Sequence, residues 1–249
     1  MMHARRPAHT GHIALVAILL TSGSAVLASA SDKPATETAT VGQTTSGQDE
    51  AAPRRRDYTN PEDARTGVLP AGIGIAPGSP APDATVRDAE GREVSLASLS
   101  KDGPIMVVFY RGGWCPYCNA QIHDLTRAFP DYQKRGVRPV VISVDQAKES
   151  ARTQATYSIP FPVLSDPDLA AHRAFRVLHQ ADTAEFARLK SYGIDLENAS
   201  GRMHHVIAVP SIFIIDKAGV VRWAHAESDY TKRPSNAQLL AAIDRLGLK

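Results

Sequence analysis

The chain of 249 residues has room for one or two domains with a core that folds without disulfide staples, so a lone mini-domain is excluded. With 28 basic and 26 acidic residues the formal net charge is only +2, and nothing in that balance points to nucleic acid as a partner. Two cysteines, Cys115 and Cys118, are too few for a disulfide-rich scaffold or a four-cysteine zinc site.

The first thirty residues read as an address. His3, Arg5 and Arg6 open the chain, Ile13 to Leu20 is an apolar run of eight, and Ala28-Ser29-Ala30 has the small-x-small pattern of a cleavage site. We expect a signal peptide over 1–30, removal after Ala30, and an exported protein, periplasmic or secreted. Eight apolar residues fall short of the ~20 that span a bilayer. The alternative is a membrane anchor formed by the same segment left uncleaved. Residues 31–73 follow as a flexible low-complexity linker. From Ser31 to Asn60 its only branched aliphatic is Val41 and its only aromatic is Tyr58, too little to offset the entropy of ordering it. Arg54, Arg55 and Arg56 within it are read as a solvated charge run. The folded unit is expected over 74–249.

Within that unit, Ile105 to Tyr110, Val140 to Val144 and Ile212 to Ile215 are short apolar runs suited to strands covered on both faces. After Cys115, the residues Cys118, Ile122, Leu125 and Phe129 repeat on one helical face, and Pro130 is expected to close that helix. A further helix is predicted over Ala147–Tyr157. Another, over Ala181–Tyr192 with Phe186 and Leu189 on one side and Gly193 as its stop, reads as an insertion before the late strand. Val220 to His225 is predicted to be an edge strand, reached through a turn at Asp216 to Gly219. The last helix starts at Ser235 with capping-box spacing, buries Leu239, Ile243 and Leu246, and stops at Gly247. Strands alternating with helices predict an α/β fold around a mixed sheet.

The chemistry centres on Trp114-Cys115-Pro116-Tyr117-Cys118, after a buried strand and at the head of a helix. Residues three apart on a helix are near neighbours, so the two thiols can cycle between dithiol and disulfide. The helix N-terminus favours a thiolate, and Pro116 suits a first turn because its missing N–H is not needed there. On this argument Cys115, at the open end, carries the lowered pKa, and the more buried Cys118 resolves a mixed disulfide. Trp114 and Tyr117 are expected at the rim of the thiols. His204 and His205 raise the question of a copper site shared with the cysteines, but loop histidines are the simpler reading, and no metal is expected. Gly72, Gly74 and Gly78 lack the strand-turn-helix context of a dinucleotide site, and no cofactor is expected.

The order strand, Trp-Cys-x-x-Cys, helix, and then Val209-Pro210-Ser211 entering Ile-Phe-Ile-Ile-Asp, resembles the thioredoxin superfamily over about residues 74–249. It is most similar to the redoxin branch of peroxiredoxins and TlpA-type exported oxidoreductases. Phe109-Tyr110-Arg111-Gly112-Gly113-Trp114-Cys115-Pro116-Tyr117-Cys118 looks like the signature of a peroxiredoxin-like subgroup of the alkyl hydroperoxide reductase and thiol-specific antioxidant family. The resemblance implies a thioredoxin-like fold, a central mixed β-sheet flanked by helices. It implies an antioxidant enzyme reducing hydrogen peroxide or organic hydroperoxides through the Cys115/Cys118 pair, re-reduced by a thioredoxin-like protein. The alternative it implies is a TlpA-type enzyme acting on protein disulfides.

Two registers for the nucleophile stand open. The peroxiredoxin pattern Phe-Tyr-Pro-x-x-x-Thr-x-x-Cys, laid on Phe109-Tyr110, puts Arg111 at the proline, Cys115 at the threonine and Cys118 at the peroxidatic cysteine. Thioredoxin-like enzymes use the first cysteine instead, here Cys115. The arginine usual in peroxiredoxins before the late strand falls near Pro210, and Arg111 either replaces it beside the thiolate or lies on the surface at the strand end. By the same resemblance Pro210 is the cis-proline facing the thiols, with Val209 beside it and Trp114, Pro116 and Tyr117 opposite receiving substrate. Thioredoxin's buried acid has no counterpart at Val108, so proton transfer must use another group.

Overall fold

In the computed structural model the described residues are 66–248. The proposed signal peptide and all but the last residues of the proposed linker lie outside them. The fold extends somewhat further towards the N terminus than residue 74. The Ala226 N–H donates to the Val68 carbonyl at 2.9 Å, and Leu69 packs on the core.

A seven-stranded mixed sheet forms the frame, in the order β2 (Glu93–Ser95), β1 (Thr85–Arg87), β5 (Val163–Ser165), β4 (Arg138–Ser143), β3 (Ile105–Phe109), β8 (Ser211–Ile215), β9 (Val221–Ala226). β3, β4 and β5 are parallel, whereas β8 runs antiparallel to β3 and β9 antiparallel to β8. Every residue of β3 and β8 is buried, because each strand sends alternate side chains into cores on both faces. Met106, Val108, Ile212 and Ile214 meet Ile122 and Leu125 of helix α2 (Pro116–Arg127) and Leu239 and Ile243 of α8 (Asn236–Leu246). Ile105, Val107, Phe109 and Phe213 meet Val86 and Phe175 on the other face. The apolar runs predicted as strands are thus the centre of the sheet, and β9 is its edge.

The remaining helices are α1 (Leu96–Ser100), α3 (Phe129–Lys134), α4 (Ala147–Thr156), α5 (Ala170–Ala174), α6 (Thr183–Ser191) and α7 (Leu196–Ser200). One boundary differs from expectation. α2 ends at Arg127, and Pro130 sits in the first turn of α3, so the proline opens a helix instead of closing one. The predicted capping box of α8 is complete at Ser235 and Gln238, and Gly247 ends it at φ +60°. The segment before the late strand is an insertion with its own two-stranded ribbon, β6 (Leu178–Gln180) against β7 (Val206–Ala208). Between these strands lie α6 and α7, capped by Asp182 and Asp195 and packed through Leu189 and Leu196 onto Val144 and Leu169.

Candidate active site

Because β3 and β4 are parallel neighbours, the residues that follow them emerge side by side at one edge of the sheet. β3 leads through Tyr110-Arg111-Gly112-Gly113-Trp114 into α2; β4 leads to Asp145 and α4. The paired glycines are required by this proximity. A side chain on Gly112, at φ +151°, would sit 2.2 Å from Trp114 Nε1 and 2.8 Å from Asp145 Oδ1, and one on Gly113 would sit 2.2 Å from the Thr153 hydroxyl of α4. The Gly113 N–H donates to Asp145 Oδ2 at 2.7 Å, and Asn119 Nδ2 ties the Gly113 carbonyl to α2 at 2.7 Å.

Cys115 is the N-cap of α2, Pro116 opens its first turn, and Cys118 follows one turn in. Both cysteines are free thiols and both are buried, at 1% and 0% exposed. Burial alone would push the Cys118 thiol up. It is outweighed by the Cys115 thiol donating to it, by the charge of Arg233 and by the backbone N–H of Arg111, which together bring Cys118 down to about 6. The Arg233 guanidinium places Nη2 3.8 Å from Cys118 Sγ. The Cys115 thiol moves the other way. Its hydrogen bond to Cys118, then its burial, hold it protonated. The fixed cation thus stands at Cys118, not at Cys115 where the open end of the helix led us to expect the more acidic thiol.

Arg111 is neither a surface residue nor the thiolate's cation. Its side chain is buried, donates to Glu185 Oε1 of the insertion at 2.9 Å, and lies 4.1 Å over the Tyr230 ring and 5.3 Å from the Trp114 ring. Its backbone N–H serves Cys118, while its guanidinium holds α6 and its charge favours the ionised form of Cys115. Tyr117 meets Tyr230 edge-on at 5.5 Å, so Trp114, Arg111, Tyr230 and Tyr117 form a continuous stack beside the thiols.

The proposed substrate cradle at Val209-Pro210 differs from expectation. No described peptide bond is cis, so Val209-Pro210 is trans. The backbone groups are also committed internally. Val209 N–H donates to the Val177 carbonyl at 2.8 Å, the Val209 carbonyl accepts from the Ser211 hydroxyl at 2.7 Å, and the Pro210 carbonyl accepts from Glu227 N–H at 3.1 Å. The Val209 N–H is therefore not left to pair with an extended substrate, and both carbonyls already hold an internal donor. His204 bonds the Pro167 carbonyl and accepts from Val206 N–H, while His205 pairs with Glu197 at 2.6 Å and stacks on Phe186. Both histidines brace the insertion.

Two residues of the site were not anticipated. Arg233 gives no sequence signal beyond a basic residue before the Pro234-Ser235 start of α8, and the chain reversal that brings it to Cys118 spans 115 positions. Asp145 did carry a signal. An aspartate directly after a buried parallel strand falls at the edge where the neighbouring strand delivers its loop.

The AhpC/TSA family model matches residues 77–224, more than half of the chain. The chain belongs to the AhpC/TSA family. Within reach of this AhpC/TSA domain by sequence, chloroplastic peroxiredoxin Q of rice (Oryza sativa subsp. japonica) is 35% identical over 92 residues, covering 37% of this chain and 42% of the rice protein. The match therefore spans less than half the length of that relative. The thiol-disulfide oxidoreductase ResA of Geobacillus thermodenitrificans is 28% identical over 149 residues, 59% of this chain and 68% of its own. Among solved structures, reduced Prx3 of Vibrio vulnificus in complex with hydrogen peroxide superposes with a TM-score of 0.56 at 19% identity, over 68% of this chain and 99% of that one. The AhpC/TSA domain thus has the thioredoxin-type fold of peroxiredoxins. Within this domain the cation at the Cys118 sulfur is Arg233.

Proposed function

We propose that this protein is a thiol-dependent peroxidase in which Cys118 is the peroxidatic thiolate and Cys115 the resolving thiol. The observation that carries the reading is the buried contact of Arg233 with Cys118, 3.8 Å from guanidinium to sulfur, in a site that holds Cys115 protonated. A thiolate at about 6 is largely ionised at neutral pH, and the same cation and N–H groups that stabilise it can stabilise charge developing on a peroxide oxygen. The Cys118 thiolate attacks the terminal oxygen of a hydroperoxide, the O–O bond breaks, and Cys118 becomes a sulfenic acid while the remaining oxygen leaves as alkoxide and takes a proton. Cys115 then attacks the sulfenic sulfur. Its proton leaves with the hydroxide as water, and the 115–118 disulfide results.

A thioredoxin-like dithiol is the reductant this cycle calls for. The similarity to ResA favours a second reading, a thiol:disulfide oxidoreductase. The cation at Cys118, the thiol at the peroxidatic position of the peroxiredoxin pattern, and the Val209 N–H already held by Val177 favour the peroxidase. The basic, apolar, small-x-small start of the chain supports export to the periplasm or beyond, with an uncleaved anchor as the alternative. No helix among the described residues is long and apolar enough to cross a membrane.

Dimedone trapping tests the assignment. Stoichiometric hydrogen peroxide should give a sulfenic acid on Cys118 in Cys115→Ser, and none on Cys115 in Cys118→Ser. Sulfenic acid on Cys115 would reverse the roles. Mixed disulfides with protein substrates, together with oxidation by peroxide no faster than that of an unactivated thiol, would favour the oxidoreductase.

A further inference from the structure

The mechanism above needs a proton for the departing alkoxide, and the buried carboxyl of Asp145 is placed to hold one. Asp145 is 1% exposed. Its Oδ2 accepts the Gly113 N–H, but Oδ1 is buried with no partner and faces Gly112 next to Trp114 Nε1, which is likewise unpartnered. An ionised carboxylate would leave charge on an oxygen that nothing solvates, whereas a neutral acid avoids that cost. The groups around it are the Gly113 N–H, the Ser143 hydroxyl of β4, the Tyr110 phenol after β3, Cys118 of α2 and Glu149 of α4. The anions among these, Cys118 and Glu149, oppose its ionisation. Burial first, then these charges, push the acid up to about 7, against the pull of Gly113 and Ser143.

Resting on the peroxidase reading, we propose that Asp145 carries the proton of the reduced site and releases it as the Cys118 thiolate is consumed. The reduced site holds one Cys118 thiolate, one Cys115 thiol and one neutral Asp145. When the thiolate attacks the hydroperoxide, its negative charge passes to the leaving alkoxide, a far stronger base than a carboxylate, and the Cys118 share of the repulsion on Asp145 disappears while burial and Glu149 remain. Asp145 becomes a carboxylate and its proton neutralises the alkoxide. Condensation of Cys115 with the sulfenic acid releases water and leaves that charge where it is. A dithiol reductant then delivers two electrons and two protons: one proton restores the Cys115 thiol, the other reloads Asp145, and Cys118 returns as thiolate. The buried edge carries one negative charge throughout, held in turn by sulfur and by carboxylate.

Reduced-minus-oxidised infrared difference spectra, taken between pH 6 and 7 where both groups titrate, test this directly. The full chain is oxidised in one sample by stoichiometric hydrogen peroxide and in another by oxidised glutathione. Wild type should lose a protonated-carboxyl stretch on forming the disulfide with either oxidant, and carbon-13 labelling of aspartate should move that band. Asp145→Asn, which can still accept from Gly113, should lack the band and consume peroxide about 100-fold more slowly, the low end for a lost proton donor. The labelled wild type keeps the test valid should the variant misfold. A carboxyl band unchanged by oxidation, or one that persists in Asp145→Asn, would overturn the proposal. Loss of the band with glutathione disulfide in a protein that peroxide does not oxidise would sink the peroxidase reading and leave the proton coupling standing.

Discussion

Two buried aspartates follow neighbouring parallel strands at the same edge of the sheet, and their surroundings separate them. Asp166, after β5, has both oxygens filled. Oδ1 accepts the Ala170 N–H at 2.8 Å, and Oδ2 accepts the His172 N–H at 2.9 Å and its ring Nδ1 at 2.7 Å. His172 is fully buried against the Phe109 ring, so this region is a brace that starts α5 and fixes it under the sheet. Asp145, after β4, has one oxygen filled and one without a partner, beside the loop that carries the thiols. An aspartate after an apolar strand is common to both. Partner count makes one a structural tie and leaves the other free to change its protonation.

The largest expected effect is on the satisfied side. Asp166→Ala strands two backbone N–H groups and a buried ring nitrogen, and breaking a buried pair from one side should cost about 3 kcal/mol or more. Urea denaturation should show that loss, while the pH at which Cys118 ionises in the surviving folded protein stays in place. A shift in that midpoint would mean that Asp166 also acts on the thiol, and the contrast between the two aspartates would fail.

On the thiol side, Arg233→Met removes the cation and retains an apolar stem. Cys118 should rise from about 6 towards or beyond the free thiol range. Only the thiolate reacts, and its leaving alkoxide needs the Asp145 proton, so wild-type turnover should fall as pH drops below 6 and fall again as pH rises above 7. In Arg233→Met the acid-side fall should begin at higher pH, with turnover at neutral pH reduced about 10- to 100-fold. Thiolate absorbance and initial rates of peroxide loss across pH check both statements. An unchanged midpoint would return the activation of Cys118 to the Cys115 thiol and the Arg111 N–H.

The contrast also marks what sequence reasoning could reach. The strands and helices at the centre were legible because Ile105 to Tyr110, Val140 to Val144 and Ile212 to Ile215 must be covered on both faces, and because Ser235 and Gly247 carry cap chemistry. The dithiol was legible for the same local reason, its spacing on one helix. β1, β2, β5 and α5 are three to five residues long and carry too little periodicity to be read. Which thiol is acidic was not local information. Helix position favoured Cys115, and the decision came from Arg233, brought across the fold. The assignment of Pro210 and Val209 to substrate followed a motif, while the hydrogen bonds from Glu227, Ser211 and to Val177 that occupy them depend on tertiary packing.

The smallest expected effect concerns the second buried arginine, and it sharpens the comparison by separating the cation that touches Cys118 from one that acts on Cys115 through its charge and holds the wall beside the thiols. Arg111 directly precedes the glycine pair and stacks between Trp114 and Tyr230, with its guanidinium tied to Glu185, whose other oxygen pairs with His179 at 2.6 Å. Glu185→Gln keeps an oxygen to accept from Arg111, turns its NH2 towards His179 and removes the charge. With one partner of a largely buried pair neutralised, stability should fall by about 1–2 kcal/mol through loosening of α6. Because the guanidinium of Arg111 does not contact Cys118, while its backbone N–H does, the Cys118 midpoint should not move and peroxide turnover should change by less than about threefold, within what a modest local electrostatic change produces. Thermal denaturation and the thiolate titration, run on the same sample, separate the two effects. A midpoint that moves with Glu185→Gln as far as it does with Arg233→Met would place both arginines in one electrostatic unit, with the insertion setting the reactivity of the thiol.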